Sequence, residues 1–162
     1  MVERAIATKL VLRALDQSES IGSLDDRKRL QKLIYLVQAA GVNLGYGYSW
    51  YLKGPYSSAL AKDYYNMPPT DLGQPGSPVL RPDVLPNIEL VRRLASDFRR
   101  PAILPDADWL EIVSSVHYLE RVSGLDEAAA NDKLRREKPH LVQHVGIARN
   151  VVNEYFPKAQ TR

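Results

Sequence analysis

The feature that most constrains this chain is a change of apolar period between residues 24 and 66. Leu30, Leu33, Ile34 and Val37 recur at i, i+3, i+4 and i+7, the spacing of a helix with one apolar stripe. The next stretch, "YGYSWYLK" from 46 to 53, alternates instead. Tyr46, Tyr48, Trp50 and Leu52 fall on one side and Gly47, Ser49, Tyr51 and Lys53 on the other, the pattern of a strand. Gly54-Pro55 is expected to end it, because proline lacks the N–H a ladder needs. A further helix then runs to about Asn66, with Ser57 or Ser58 as its N-cap. A lone strand cannot satisfy its own backbone, so Val79-Leu80-Arg81 is the expected partner strand.

The remaining segments read as helices. Residues 2–17 carry Ile6, Leu10 and Ala14 with Val11 and Leu15; residues 24–40 lie between an N-cap at Ser23 and a terminating Gly41. Residues 87–99 place Ile88, Val91, Leu94 and Phe98 on one stripe. Residues 106–123, 125–137 and 140–156 follow, separated by Gly124 and Pro139. Residues 67–86, dense in proline and glycine, read as an irregular excursion inside one domain spanning 1–162. The expected fold is mainly α (α+β): a compact domain of six or seven helices with one small β-hairpin.

Composition narrows the chemistry. There is no cysteine, hence no disulfide, thiol nucleophile or cysteine zinc site. No apolar run is long enough to span a bilayer, the N-terminus lacks a signal-peptide layout, and a cytoplasmic location is expected. The net charge is +3, with residues 1–66 holding 9 Lys+Arg against 6 Asp+Glu, and residues 67–162 holding 13 of each. A dedicated nucleic-acid binder concentrates more positive charge than that.

Catalytic constellations are not legible. Gly54-Pro55-Tyr56-Ser57-Ser58 lacks the flanking glycines of a nucleophile elbow and the glycines and Lys-Ser/Thr pair of a P-loop, so it reads as a turn with a capping serine. His140 and His144 would share a face of the last helix, but residue 141 is leucine where H-E-x-x-H needs glutamate, so neither metal nor other cofactor is expected. A hydrolase using Ser57 or Asp63 with distant His117 is the enzymatic alternative, since a triad is a spatial arrangement. Arg27, Lys28, Arg29 and Lys32 form a basic run close in sequence to aromatics. That supports nucleic-acid binding by charge and stacking as a second alternative.

The block Leu30-Gln31-Lys32-Leu33-Ile34-Tyr35, the aromatic strand, Gly54-Pro55-Tyr56-Ser57 with Leu60 and Asp63, then a helix bearing Trp109 and the Lys138-Pro139 turn, together resemble the YwgA-like family. That family is distantly related to the Panacea (SocA-like) domains. The matching segments cover roughly residues 24–66 and 105–155. Panacea domains are antitoxin modules that neutralise toxins by protein contact, and SocA-like members are adaptors that hand a toxin to a protease. The fuller "GPYSSxLxxD" here places the chain nearer YwgA. The resemblance implies a non-enzymatic protein-binding module whose partner is a toxin or a protease. Arg29, Lys32, Tyr35, Tyr51, Lys53 and Tyr56 are the candidate partner-binding residues, and Gly54, Pro55, Ser57, Asp63 and Trp109 the structural motif.

Overall fold

The computed structural model describes residues 2–67 and 72–158. Its helices are α1 (Val2–Ala14), α2 (Leu24–Ala39), α3 (Ser58–Tyr65), α4 (Leu85–Ala95), α5 (Asp106–His117), α6 (Glu127–Glu137) and α7 (Val145–Tyr155). A hairpin of β1 (Ser49–Tyr51) and β2 (Gly54–Tyr56) lies between α2 and α3. Among the described residues no helix is long and apolar enough to cross a membrane.

The fold is organised around α5. Ten of its residues, Ala107 and Trp109 to His117, are buried, so the helix runs through the interior rather than along a face. α2 and α7 both pack on it. Leu30, Leu33, Ile34 and Val37 of α2 are at most 2% exposed, as their spacing predicts. Trp109 is fully buried and its Nε1 donates to the Leu94 carbonyl on α4 at 3.2 Å. After His117 the chain continues into a π-helical turn, Tyr118–Val122, so the expected helix 106–123 is present but changes its winding near the end. Ser23 caps α2 by accepting from Asp26 N, and Ser57 caps α3 by accepting from Leu60 N.

Three expectations need correction. First, the partner strand is not at 79–81, where Val79 is 80% exposed and no strand forms. It is Gly54–Tyr56, with Ser49 opposite Tyr56, Trp50 opposite Pro55 and Tyr51 opposite Gly54. Closure over the two residues Leu52 and Lys53 orders far less chain than a partner some thirty residues away would, and loop closure grows more costly with length. Gly54, at φ +95°, supplies the left-handed backbone at the turn's exit. In a two-residue hairpin the closing pair carries the ladder bonds, so the next pair, Trp50 and Pro55, does not. Proline's missing N–H therefore costs the sheet nothing, and Pro55 starts no break.

Second, Phe98 does not extend the α4 stripe. The helix ends at Ala95, and Phe98 is 90% exposed. The Asp97 carboxylate accepts from Arg99 N, Nε and Nη2 at 2.8–3.0 Å, which folds the chain locally and takes it off the helical path. Third, His140 precedes the last helix: 142–144 form a 3₁₀ turn and α7 starts at Val145, so His140 and His144 do not share a helix face.

Candidate functional site: the hairpin and its buried foundation

One face of α2 is polar yet faces inward. Leu24, Arg27, Lys28, Gln31, Lys32 and Tyr35 recur at helical spacing, and Lys28, Gln31, Lys32 and Tyr35 are buried. They meet a matching stripe on α5: Asp108, Glu111 and Ser115, again three and four residues apart. The Lys28 ammonium lies 2.6 Å from Asp108 Oδ1 and 2.8 Å from Glu111 Oε1. Lys138, just after α6, reaches the other Glu111 oxygen at 2.8 Å, and both side chains are 1% exposed. A carboxylate held between two ammonium groups is the arrangement that makes buried charge tolerable.

The hairpin is mounted on this network. Lys138 Nζ donates to the Leu52 carbonyl at 2.8 Å, and Lys32 Nζ donates to the Pro55 carbonyl at 2.6 Å. Gln31 clamps the Ser57 backbone from both ends, its Nε2 donating to the carbonyl at 2.8 Å and its Oε1 accepting the N–H at 2.9 Å. Gly54 sits so close to α5 that a Cβ there would stand 2.6 Å from Ser115 Oγ. The scattered elements of the sequence motif, Gln31-Lys32, Gly54-Pro55-Tyr56-Ser57, the Trp109 helix and Lys138, thus converge on one joint. Their spacing in sequence is explained by contact in space.

Burial sets the charge states of the joint. Desolvation alone would raise the Glu111 carboxyl, but hydrogen bonds from Lys138 and Lys28 outweigh it and hold Glu111 below its usual range. Desolvation likewise works against Lys28, and its bonds to Asp108 and Glu111 raise it nonetheless. Lys32 has no such carboxylate at contact among the described residues. Burial brings it down to about 7, with repulsion from Lys138 and Lys28 countering the pull of Glu111. Its partner is a neutral carbonyl.

A second layer lies under the hairpin's inner side. Tyr35 and the His117 ring share a hydrogen bond, hydroxyl to Nδ1, at 2.7 Å, and Tyr35 meets Tyr48 edge-on with centroids 5.1 Å apart. Burial, reinforced by Arg121, holds His117 down at about 4, so its imidazole is neutral at pH 7. Trp50 donates to Glu137 at 3.0 Å, with the Lys138 ammonium 5.4 Å from its ring centre. Asp63 is held elsewhere, accepting from Arg4 Nε and the Tyr46 hydroxyl at 2.8 Å each.

The expected partner-binding set therefore divides. Lys32 and Tyr35 are interior groups, and Arg29 is half-buried with Asp26 at 3.3 Å. Tyr51 is 60% exposed and Lys53 is exposed. Tyr56 is half-buried, its ring stacked on Tyr51 with centroids 5.3 Å apart. Sequence alternation put Leu52 with the inward side chains, but it occupies the turn and is 82% exposed. Leu24 and Tyr65, outside the expected partner-binding set, are exposed by 58% and 60%; both lie at helix ends, where periodicity carries little weight. A cleft of about 160 Å³ opens beside Tyr56. α2 lines it with Leu24, Arg27, Lys28, Gln31 and Lys32, the hairpin adds Lys53 and Tyr56, and α3 adds Tyr64 and Tyr65.

Ser57 Oγ is committed to the α3 cap and His117 to Tyr35, and Asp63 is paired with Arg4. The basic run also disperses: Lys28 and Lys32 are buried, and Arg27 donates to the Ile21 carbonyl. Elsewhere Arg92 pairs with Glu89, Arg135 with Asp132 and Lys133 with Glu137. Among the described residues, no group of three or more His, Asp or Glu side chains is placed to hold a metal ion. Comparison with known proteins returns no matching family model, curated protein or solved structure.

Proposed function

We propose that the chain is a non-enzymatic protein-binding module, an antitoxin or proteolytic-adaptor-like protein of a stress or defence locus, that engages its partner with the hairpin tip. The observation that carries the reading is exposed Tyr51 stacked on half-buried Tyr56, beside a cleft that exposed Leu24 and Tyr65 also line, with Leu52 82% exposed at the adjoining turn. Exposed apolar side chains gathered in one place and rimmed by polar ones mark interaction sites, and aromatic anchors dominate such interfaces. The buried joint beneath adds pre-organisation: a tip tied through Leu52, Pro55 and Ser57 loses little freedom on binding. The antitoxin or adaptor role rests on the likeness of "RLQKLIY" and "GPYSSALAKD" to the YwgA-like pattern.

The test is a pull-down from host lysate with tagged wild type and Leu52→Asp, with and without nuclease, at low and high salt. A protein partner retained through nuclease and salt, and lost with Leu52→Asp, supports the reading. Capture that ignores Leu52→Asp, or recovery of nucleic acid that disappears with salt, overturns it.

A further inference from the structure

The cleft between α2, the hairpin and α3 carries positive charge that the fold neutralises only at Lys28. Among the described residues its lining contains Arg27, Lys28, Lys32 and Lys53 and no carboxylate. Behind it, the buried lysines 28, 32 and 138 face two carboxylates, Asp108 and Glu111, which are taken up by Lys28 and Lys138. Lys32 is left over. It is 1% exposed, has no ion pair among the described residues, and spends one of an ammonium's three donors on Pro55. A buried cation without a counter-ion is costly. The rest of the lining is different in kind. Leu24, Tyr56, Tyr64 and Tyr65 give the cleft an apolar wall beside its cationic end.

We propose that this cleft takes an acidic side chain from a short acidic-apolar segment of the partner protein, with the carboxylate received by Arg27 and Lys53, the buried charge of Lys32 attracting it from behind, and the neighbouring apolar side chain lying against Leu24 and Tyr65. The proposal rests on the protein-binding reading and names the chemistry of the partner. The carboxylate offsets the excess positive charge to which buried Lys32 contributes. Charge complementarity at this point gives the interface its specificity, while the tip residues Tyr51 and Leu52 give it area.

The test uses the full chain and three peptides at pH 6.5: acetyl-Leu-Glu-Leu-amide, its glutamine counterpart, and acetyl-Leu-Leu-Leu with a free C-terminus. Binding is followed by NMR shifts of the tyrosine rings and the lysine methylenes next to nitrogen. The glutamate peptide is expected to bind at least fivefold tighter than the glutamine peptide, moving Tyr56, Tyr65 and Lys53 together. Lys53→Ala, an exposed change that leaves the fold alone, should abolish most of that preference. Lys32→Met should weaken that preference, with a lower melting midpoint because the Pro55 carbonyl loses its donor. Equal affinity for the glutamate and glutamine peptides, no shift with either, or preference for the free C-terminus overturns the proposal. So does displacement of the glutamate peptide by a single-stranded thymidine octamer at equimolar concentration. Failure here leaves the pull-down with Leu52→Asp free to succeed, so the two readings fall separately.

Discussion

The hairpin and the loop between α4 and α5 both expose apolar side chains, and they are anchored in different ways. The hairpin exposes Tyr51 and Leu52; the loop between α4 and α5 exposes Phe98 and Ile103, by 90% and 89%. The hairpin is bolted to Glu111, Lys138 and Lys32, each at most 1% exposed. The loop is tied by Asp97 to Arg99, which is 26% exposed and also pairs with Glu154, and to the Tyr155 hydroxyl at 2.8 Å. A network out of water is much less forgiving of a missing member. The hairpin also has a cationic cleft at its base. Exposure therefore does not by itself identify an interface; what holds the exposed group, and what flanks it, separates the two.

The largest expected difference comes from removing the central acid. Glu111→Gln leaves Lys28 and Lys138 buried beside a neutral amide and should cost about 3–5 kcal/mol of unfolding free energy. Asp97→Asn, at the partly solvated loop anchor, should cost about 1–2 kcal/mol. Urea unfolding of both variants measures the contrast, and a Glu111→Gln cost no larger than that of Asp97→Asn breaks it.

Acid separates the same two regions. His117 is held at about 4, below the ordinary value near 6.5, so the unfolded chain takes up that proton first. Its contribution is complete above pH 6.5 and is lost as the pH falls towards 4. The loss is at most about 3 kcal/mol, because each tenfold difference in proton affinity between the folded and unfolded chains is worth roughly 1.4 kcal/mol. Lys32 acts with the same sign at higher pH, its stability contribution falling from pH 10.5 down to about 7. Asp97 is pulled down to about 2, chiefly by the Arg99 hydrogen bond, so its contribution is intact above pH 4 and fails only as pH drops towards 2. Hydrogen exchange across this range should show the hairpin amides and the start of α3 losing protection between pH 6.5 and 4 while residues 97–100 stay protected. Simultaneous loss in both places contradicts the separation.

Gly54→Ala should come next, at about 2–3 kcal/mol, because φ of +95° and a Cβ at 2.6 Å from Ser115 Oγ act together. Ser115→Ala in that background removes the atom in the way and should restore about half of the loss, leaving the backbone strain. Alone it should cost nothing measurable, since Ser115 Oγ is buried with no hydrogen-bond partner among the described residues. A full rescue would mean the strain is absent; none would mean the clash is.

What was legible in the sequence follows from range. The α2 stripe and the caps at Ser23 and Ser57 are local, and both could be read from spacing and residue type. The mainly helical class with a hairpin followed from the same signals. The hairpin's pairing did not, because a proline reads as a strand stop unless its place in the ladder is known. Nor did the fate of Lys28 and Lys32, which look like a solvated face until Asp108 and Glu111, some eighty residues later, arrive opposite them. Phe98 misled for the opposite reason: its spacing continued the α4 stripe, and a side-chain bond two residues long overrode it.

The smallest expected effect is the sharpest for function. Phe98→Ser with Ile103→Ser changes two side chains that touch little and should alter stability by less than about 0.5 kcal/mol. Leu52→Asp should be equally silent in unfolding, since the side chain is 82% exposed and the tip is held through its backbone carbonyl. On stability the two changes are indistinguishable, so any difference between them in partner capture is a difference in recognition. Capture lost with Leu52→Asp and kept with the double serine variant assigns the interface to the hairpin. The reverse result moves it to the loop, and then the buried foundation serves only to hold α2, α5 and α6 together.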